Sequence, residues 1–340
     1  MRAAQHPDYP LTVYYAFKQA ESEAERDEGD ELSKNGSRVK VTASTGWETM
    51  LEGLIRSGFT ITGTWPIRTE MVNRSVGLGT NALASSIVLV CRPRPVDAPI
   101  ASRRQFLNTL RVELAPALKN LQRASIAPVD LAQASIGPGM EIYSRYSKVV
   151  ESDGTTLRIR TALQLINRAL DEALAEQEGE YDAETRWAVA WFEQYAMEAG
   201  AYGVAETLSK AKNTSVQSLV DAGFLEAKAG KVRLLKREEL ADNWNPKTAR
   251  LSVWEVMQRM IFALLSGRGE IGAGDILRQA SAQGEVARDL TYRLFTVCER
   301  KGWAQEALAY NSLVTSWSEI SRLARREASD SGLWEGAYLG

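Results

Sequence analysis

The residues able to do chemistry fall in two stretches, and both suit holding nucleic acid better than making or breaking bonds. Between Ala201 and Leu240 stand Lys210, Lys212, Asn213, Ser215 and Gln217, followed by Lys228, Lys231, Arg233, Lys236 and Arg237. Asn and Gln each offer a donor and an acceptor that pair bidentately with adenine in a major groove, while lysines and helix N-terminal amides hold phosphates. Seven basic residues against five acidic ones make a mild local excess here, and a protein-docking surface fits the same composition. The second stretch runs from Trp65 to Ser85. Together with Lys18 it sets Trp65, Arg68, Asn73, Arg74 and Asn81 among glycines, a composition suited to phosphate contacts or to lining the pocket of a flipped base. Its plainer reading is a hairpin connection whose glycines permit tight turns, with Trp65 as a core or hinge residue.

Bond-making machinery is hard to find. The chain has one histidine, His6, and no Cys-x-x-Cys pair, so no zinc ligand set and no His-dependent nucleophile can be assembled from it. Glu48 and Glu52 fall on one face of a helix at i, i+4, which reads as a solvated face rather than an acid/base pair. Gly77 and Gly79 flank Leu78 with no helix following, so they make no cofactor loop. No catalytic residue and no metal ligand is assigned.

The elements that must position these residues divide into two kinds. Leu11 to Phe17, Phe59 to Trp65 and Ser85 to Cys91 are apolar runs that read as buried strands, and Trp47 to Ser57 reads as a helix ended by Gly58. Two βαβ-like neighbours followed by a hairpin return make only the end of a doubly wound sheet, whose ligands sit at the carboxyl ends of its parallel strands. Glu21 to Arg38 is charged and aperiodic, an exposed insertion. Pro93, Pro95 and Pro99 form a stiff connector, placing the domain boundary between residues 1–95 and 96–340.

Beyond it the pattern is helical: Phe106, Leu107, Leu110, Leu114, Leu118 and Leu121 recur at three- and four-residue spacing, as do Leu163, Ile166, Leu170 and Leu174. Trp187, Trp191, Phe192 and Tyr195 read as a packed helix face. Ile136 to Met140 reads as a turn, from its two glycines and its proline. Val204 to Lys212 and Thr214 to Ala222 read as two short helices. They are followed by two short strands around Ala229-Gly230, an order that predicts a winged helix at about 183–240.

Composition sets the outer limits. With 340 residues, 44% hydrophobic content and a net charge of −2, the chain is long enough for two domains and can bury a core, and any polyanion site must be a local patch. Cys91 and Cys298 suit a reducing compartment, hence a cytoplasmic location, better than a disulfide framework. The apolar-leaning stretch from Val76 to Cys91 is too short and too interrupted to span a bilayer, and the N-terminus lacks the regions of a signal peptide.

Long ordered strings carry a family resemblance. They are His6-Pro-Asp-Tyr-Pro-Leu-Thr-Val-Tyr-Tyr-Ala-Phe-Lys-Gln19, Thr45-Gly-Trp-Glu48, Gly63-Thr-Trp-Pro-Ile-Arg-Thr-Glu70, and Gly79-Thr-Asn-Ala-Leu-Ala-Ser-Ser-Ile-Val-Leu-Val-Cys-Arg92. Further on stand Ile126-Ala-Pro-Val-Asp-Leu-Ala-Gln-Ala-Ser-Ile-Gly-Pro-Gly-Met140, Trp187-Ala-Val-Ala-Trp-Phe-Glu-Gln-Tyr195 and Glu206-Thr-Leu-Ser-Lys-Ala-Lys-Asn213. From about residue 6 to 320 the chain resembles the C-terminal part of a family of bacterial and archaeal adenine-specific DNA methylases. Those proteins carry an N-terminal domain of unknown function and often sit in phage-defence gene clusters.

The resemblance implies an S-adenosylmethionine-dependent amino-methyltransferase acting on adenine N6, or on cytosine N4, in double-stranded DNA. Such enzymes need a Gly-rich cofactor turn after their first strand and an Asp/Asn-Pro-Pro-Tyr-like motif for the target amine, and neither string occurs in residues 1–340. The expectation is therefore a C-terminal fragment or subunit: the last strands of a Rossmann-like methyltransferase sheet, then a mostly helical domain with a winged-helix-like segment. S-adenosylmethionine would belong to the complete enzyme, with none bound by this chain alone, and a polypeptide carrying the N-terminal motifs would be a partner. A stand-alone DNA-binding or assembly module, with no cofactor, is the rival expectation, and a nonfunctional remnant is a third.

Overall fold

A computed structural model describes residues 2–6, 8–16, 45–67, 86–240, 244 and 251–325. The insertion expected from Glu21 to Arg38 lies outside these residues. The chain forms two compact units, Met1–Ala175 and Glu176–Gly340, the first mixed α/β and the second mostly helical.

In the first unit the sheet is built from β1 (Leu11–Ala16), β2 (Phe59–Ile67) and β3 (Ser86–Pro93), with α1 (Thr45–Arg56) between β1 and β2. The strand order is β1-β3-β2, and β3 is antiparallel to both neighbours, so β1 and β2 run parallel to each other. The central position of β3 explains its nearly continuous apolar run: Ile87, Leu89 and Cys91 are fully buried and Val88 nearly so. Among the described residues the outer edge of β1 has no strand partner.

A parallel pair of short strands, β4 (Ile100–Ser102) and β5 (Lys148–Val150), accompanies three helices: α2 (Arg103–Arg123), α3 (Pro128–Ser144) and α4 (Ile159–Glu176). Phe106, Leu110, Leu114 and Leu118 form the buried stripe of α2 that their spacing predicts. Two expectations are corrected here. The Pro93–Pro99 connector does not divide the chain, because α3 lies along β2 and holds the helices to the sheet. Thr60 Oγ1 donates to the Ser144 carbonyl at 3.3 Å, Ser144 Oγ accepts from the Ile61 amide at 2.9 Å, and Thr64 Oγ1 donates to the Ala134 carbonyl at 3.0 Å. The division falls instead between Ala175 and Glu176.

Nor is Ile136 to Met140 a turn, since it lies inside α3. Its glycines serve close approach rather than unusual backbone angles. A Cβ on Gly137 would stand 2.5 Å from the Thr64 amide nitrogen, and one on Gly139 would stand 2.6 Å from the Ile166 side chain. The register of β2 against β3 shifts between Ile61 and Gly63, so the helix settles where the strand is already irregular.

The second unit begins with α5 (Ala183–Tyr195), β6 (Gly200–Ala201), α6 (Tyr202–Ala211), α7 (Val216–Asp221), β7 (Leu225–Lys228) and β8 (Lys231–Leu234). Four helices follow: α8 (Val253–Leu265), α9 (Gly269–Ala280), α10 (Ala282–Lys301) and α11 (Ala304–Thr315), with residues 317–325 also helical. The core is aromatic where α5 meets α8. Trp187, Trp191, Phe192 and Trp254 are fully buried, and Trp187 stacks on Trp191 with centroids 5.0 Å apart. Asp182 caps two helices at once: its carboxylate accepts from the Thr185 amide at 2.7 Å and from the Val253 amide at 3.0 Å. Thr185 Oγ1 in turn accepts from the Trp254 amide at 3.0 Å. The start of α5 is thereby tied to the start of α8.

Candidate nucleic-acid interface

The segment from α5 to β8 brings most of the second unit's sequence-predicted contact residues into one small substructure. Its base is the tryptophan pair of α5. Trp187 Nε1 donates to the Ala205 carbonyl at 3.3 Å, fixing α6 against α5 through the buried residues Ala205 and Ser209. Next to it β6 passes so close that a Cβ on Gly200 would stand 2.8 Å from the Trp191 ring, which is why the strand opens with glycine.

The turn between the two short helices is shaped by Asn213 and Ser215. Asn213 adopts the left-handed conformation at φ 58°, which Asn tolerates better than most residues. Ser215 is the N-cap of α7, and its hydroxyl accepts from the Ser218 amide at 3.0 Å. Val216 and Leu219 point into the core, whereas Gln217 is exposed and donates to Asp221 one turn on at 2.8 Å.

After Gly223 the chain enters the β7/β8 hairpin, whose two turn residues, Ala229 and Gly230, both have positive φ, 51° and 72°. Such a two-residue turn matches the twist of the strands it joins. The three-stranded sheet has the order β6-β8-β7, with Lys228 opposite Lys231 beside the turn.

Charge in this segment is distributed unevenly. Arg233 is held between two carboxylates: its Nε donates to Glu226 at 2.7 Å, and its two terminal nitrogens donate to Glu239 at 2.6 and 2.9 Å. The hydrogen bonds from Arg233 hold the Glu239 carboxyl down, at about 2. Arg237 turns inward, donating to Gln258 at 2.6 Å and to Glu306, with its guanidinium 5.4 Å from the Tyr310 ring centroid. Lys210 pairs with Glu206 at 3.3 Å across one turn of α6, an exposed contact of little weight. Lys212, Lys228 and Lys231 have no carboxylate partner among the described residues. Their charge is left for an external anion.

In the first unit Trp65 sits on β2 opposite Val88 and is 52% exposed, so it is not the core residue of the plainer reading. Lys18, Arg68, Asn73, Arg74 and Asn81 lie outside the described residues. Glu48 is tied to Arg160 at 2.9 Å, part of a structural surface rather than an acid/base pair. What sequence reasoning passed over are Tyr202 and Val204, 43% and 38% exposed in the first turn of α6. The signal was available in their spacing, because Ala205 and Ser209 take the buried side of that helix. Among the described residues no group of three or more His, Cys, Asp or Glu side chains could hold a metal ion, and no helix is long and apolar enough to cross a membrane.

Residues 182–333 match the model of a family described as a domain of unknown function, DUF8807. The match begins at Asp182, the cap of α5, and takes in the whole helix-helix-hairpin segment together with the helices that follow. No curated protein and no solved structure matches the chain.

Proposed function

We propose that this chain seats duplex DNA for an S-adenosylmethionine-dependent amino-methyltransferase, with adenine N6 as the methylated position, and that other polypeptide supplies the cofactor turn and the amine-binding motif. The observation that carries the DNA part is the order helix, strand, helix, helix, strand, strand, with β8 between β6 and β7. This is the order of a winged helix, in which the second short helix and the hairpin face DNA. Lys212 at the end of α6 and Lys228 and Lys231 at the hairpin tip stand where such a module meets phosphates. Asn213 lies in the turn between them, and Ser215 and Gln217 shape the reading helix.

The methyltransferase part rests on the family resemblance of the ordered strings. The parallel pair β1 and β2 with antiparallel β3 between them supports it, being what the last strands of a Rossmann-like sheet with a hairpin return would form. A second reading, a DNA-binding or assembly module with no cofactor, draws on the same lysines, which need nothing from the first unit.

Duplex binding followed by fluorescence anisotropy across a salt series tests the reading. Changing Lys212, Lys228 and Lys231 together to Ala should weaken binding similarly on unrelated sequences and make the salt slope shallower by up to about three. An unchanged affinity and slope would remove this segment from the DNA surface.

A further inference from the structure

The first unit carries a groove that none of the sequence motifs marks. It lies where the parallel strands β4 and β5 end, Ser102 opposite Val150, and where α2 begins, and it is an open depression of about 510 Å3. Arg103, Arg104 and Arg111 line it with Asn108, against a single lining carboxylate, Glu151. Arg103 closes one end by donating to both oxygens of Glu151 at 3.2 Å, so that acid is already neutralised.

The remaining two arginines keep charge to offer. Arg104 is exposed and has no acidic partner among the described residues. Arg111 stands 3.5 Å from Glu172, a carboxylate that Arg168 also holds at 3.1 Å, so one acid serves two guanidiniums. Arg104, Asn108 and Arg111 follow i, i+4, i+7 spacing and therefore share one stripe of α2. The capping box formed by Ser102 and Gln105 takes up two of the amides at the start of that helix, those of Ser102 and Gln105, and the charge facing the groove comes from the arginine side chains.

We propose that this groove binds the phosphodiester backbone of duplex DNA, giving the first unit a backbone contact separate from the helix-helix-hairpin segment. A planar guanidinium pairs bidentately with phosphate oxygens, and an amide between two such groups can donate to the same backbone. The assignment rests on the duplex-binding reading above, and it adds to that reading a contact that carries no sequence information.

The test uses the full chain and a labelled duplex over a salt series. Arg104→Ala/Arg111→Ala should bind about tenfold more weakly at low salt, on unrelated sequences alike, with a salt slope shallower by about two. Arg104→Lys/Arg111→Lys, which keeps the charge, should recover most of the slope. Both arginines are exposed on a helix where Ala is well tolerated, and far-ultraviolet circular dichroism checks that the fold is kept.

Binding by both variants with the affinity and slope of the unaltered chain would overturn the groove while leaving the second unit's role standing. Failure of the unaltered chain to bind duplex at all would overturn both. Inorganic phosphate held by the groove, with no change in duplex affinity when the arginines are removed, would show a small-anion site and overturn the duplex assignment.

Discussion

At the scale of single residues, burial decides which groups are chemically silent. Cys91 and Cys298 are both fully buried, and burial pushes their thiols up from an ordinary value of 9.0 to about 11 and about 12. Tyr143, whose hydroxyl donates to the Leu157 carbonyl at 2.6 Å, is raised chiefly by burial to about 12. All three keep their protons in the folded chain at pH values where the unfolded chain has begun to lose them. Their contribution to stability is therefore complete below about pH 9 and declines as pH rises through about 11 to 12. Two outcomes are expected. A thiol reagent at pH 8 labels neither cysteine in the folded chain and both in denaturant, and the melting temperature falls progressively above pH 9. Fast labelling of the folded chain at pH 8 would show that one of these thiols is reached by solvent. The same scale separates the arginines from the lysines of the candidate interface. Arg233 and Arg237 look in sequence like two more phosphate contacts, yet the carboxylates of Glu226, Glu239 and Glu306 hold them. The Glu306 partner of Arg237 is 69 residues away, which no local pattern discloses, whereas the partners of Arg233 are only 7 and 6 residues off, across the hairpin and just beyond it.

Elements were legible wherever periodicity and punctuation agreed, and illegible where a neighbour overrode them. The strand at Phe59, the helix ended by Gly58, the stripe of α2 and the Ala229-Gly230 hairpin all follow from local pattern. The five contact residues on 17–44 and 68–85 lie outside the described residues, so for them the expectation from sequence stands alone. Ile136-Gly-Pro-Gly-Met140 was misread because glycine and proline usually mark turns, and here β2 and α4 supply the reason for small residues inside a helix. The domain boundary was misread for the same cause, since the contact of α3 with β2 joins residues far apart in sequence. That account makes a contrast between two helical glycines. Gly137→Ala forces a methyl against the Thr64 backbone and should cost about 2 kcal/mol, within the range for overpacking. Gly53→Ala, in α1 with nothing within 4 Å, should raise stability by about 0.5–1 kcal/mol. Denaturant melts of the two variants check both signs. A tolerated Gly137→Ala would mean that α3 does not need its close seat on the strand.

On the scale of the whole molecule, the two units present different kinds of surface. The second unit presents Lys228 and Lys231 beside a hairpin turn and, on its helices, exposed Tyr202, Val204, Leu265 and Ile271. The first unit leaves β1 with an unpaired edge among the described residues and with Tyr14 71% exposed on a strand whose Tyr15 packs on Trp47, ring centroids 5.1 Å apart. An edge strand with an aromatic side chain in water is a template for a further strand and for the layer that would cover it. If the proposed methyltransferase is assembled here, that edge is where a polypeptide bearing the Gly-rich turn and the Asp/Asn-Pro-Pro-Tyr-like motif must join. Calorimetry should then find no binding of S-adenosylmethionine to this chain alone and clear binding after mixing with such a polypeptide. Tyr14→Glu should weaken that assembly while leaving the melting of the isolated chain nearly unchanged, because the side chain is a surface one until the partner arrives. Cofactor binding by the chain alone would show that it has a cofactor site of its own. Absence of binding in the mixture would leave the second unit as a DNA-binding module whose lysines work without a methyl donor.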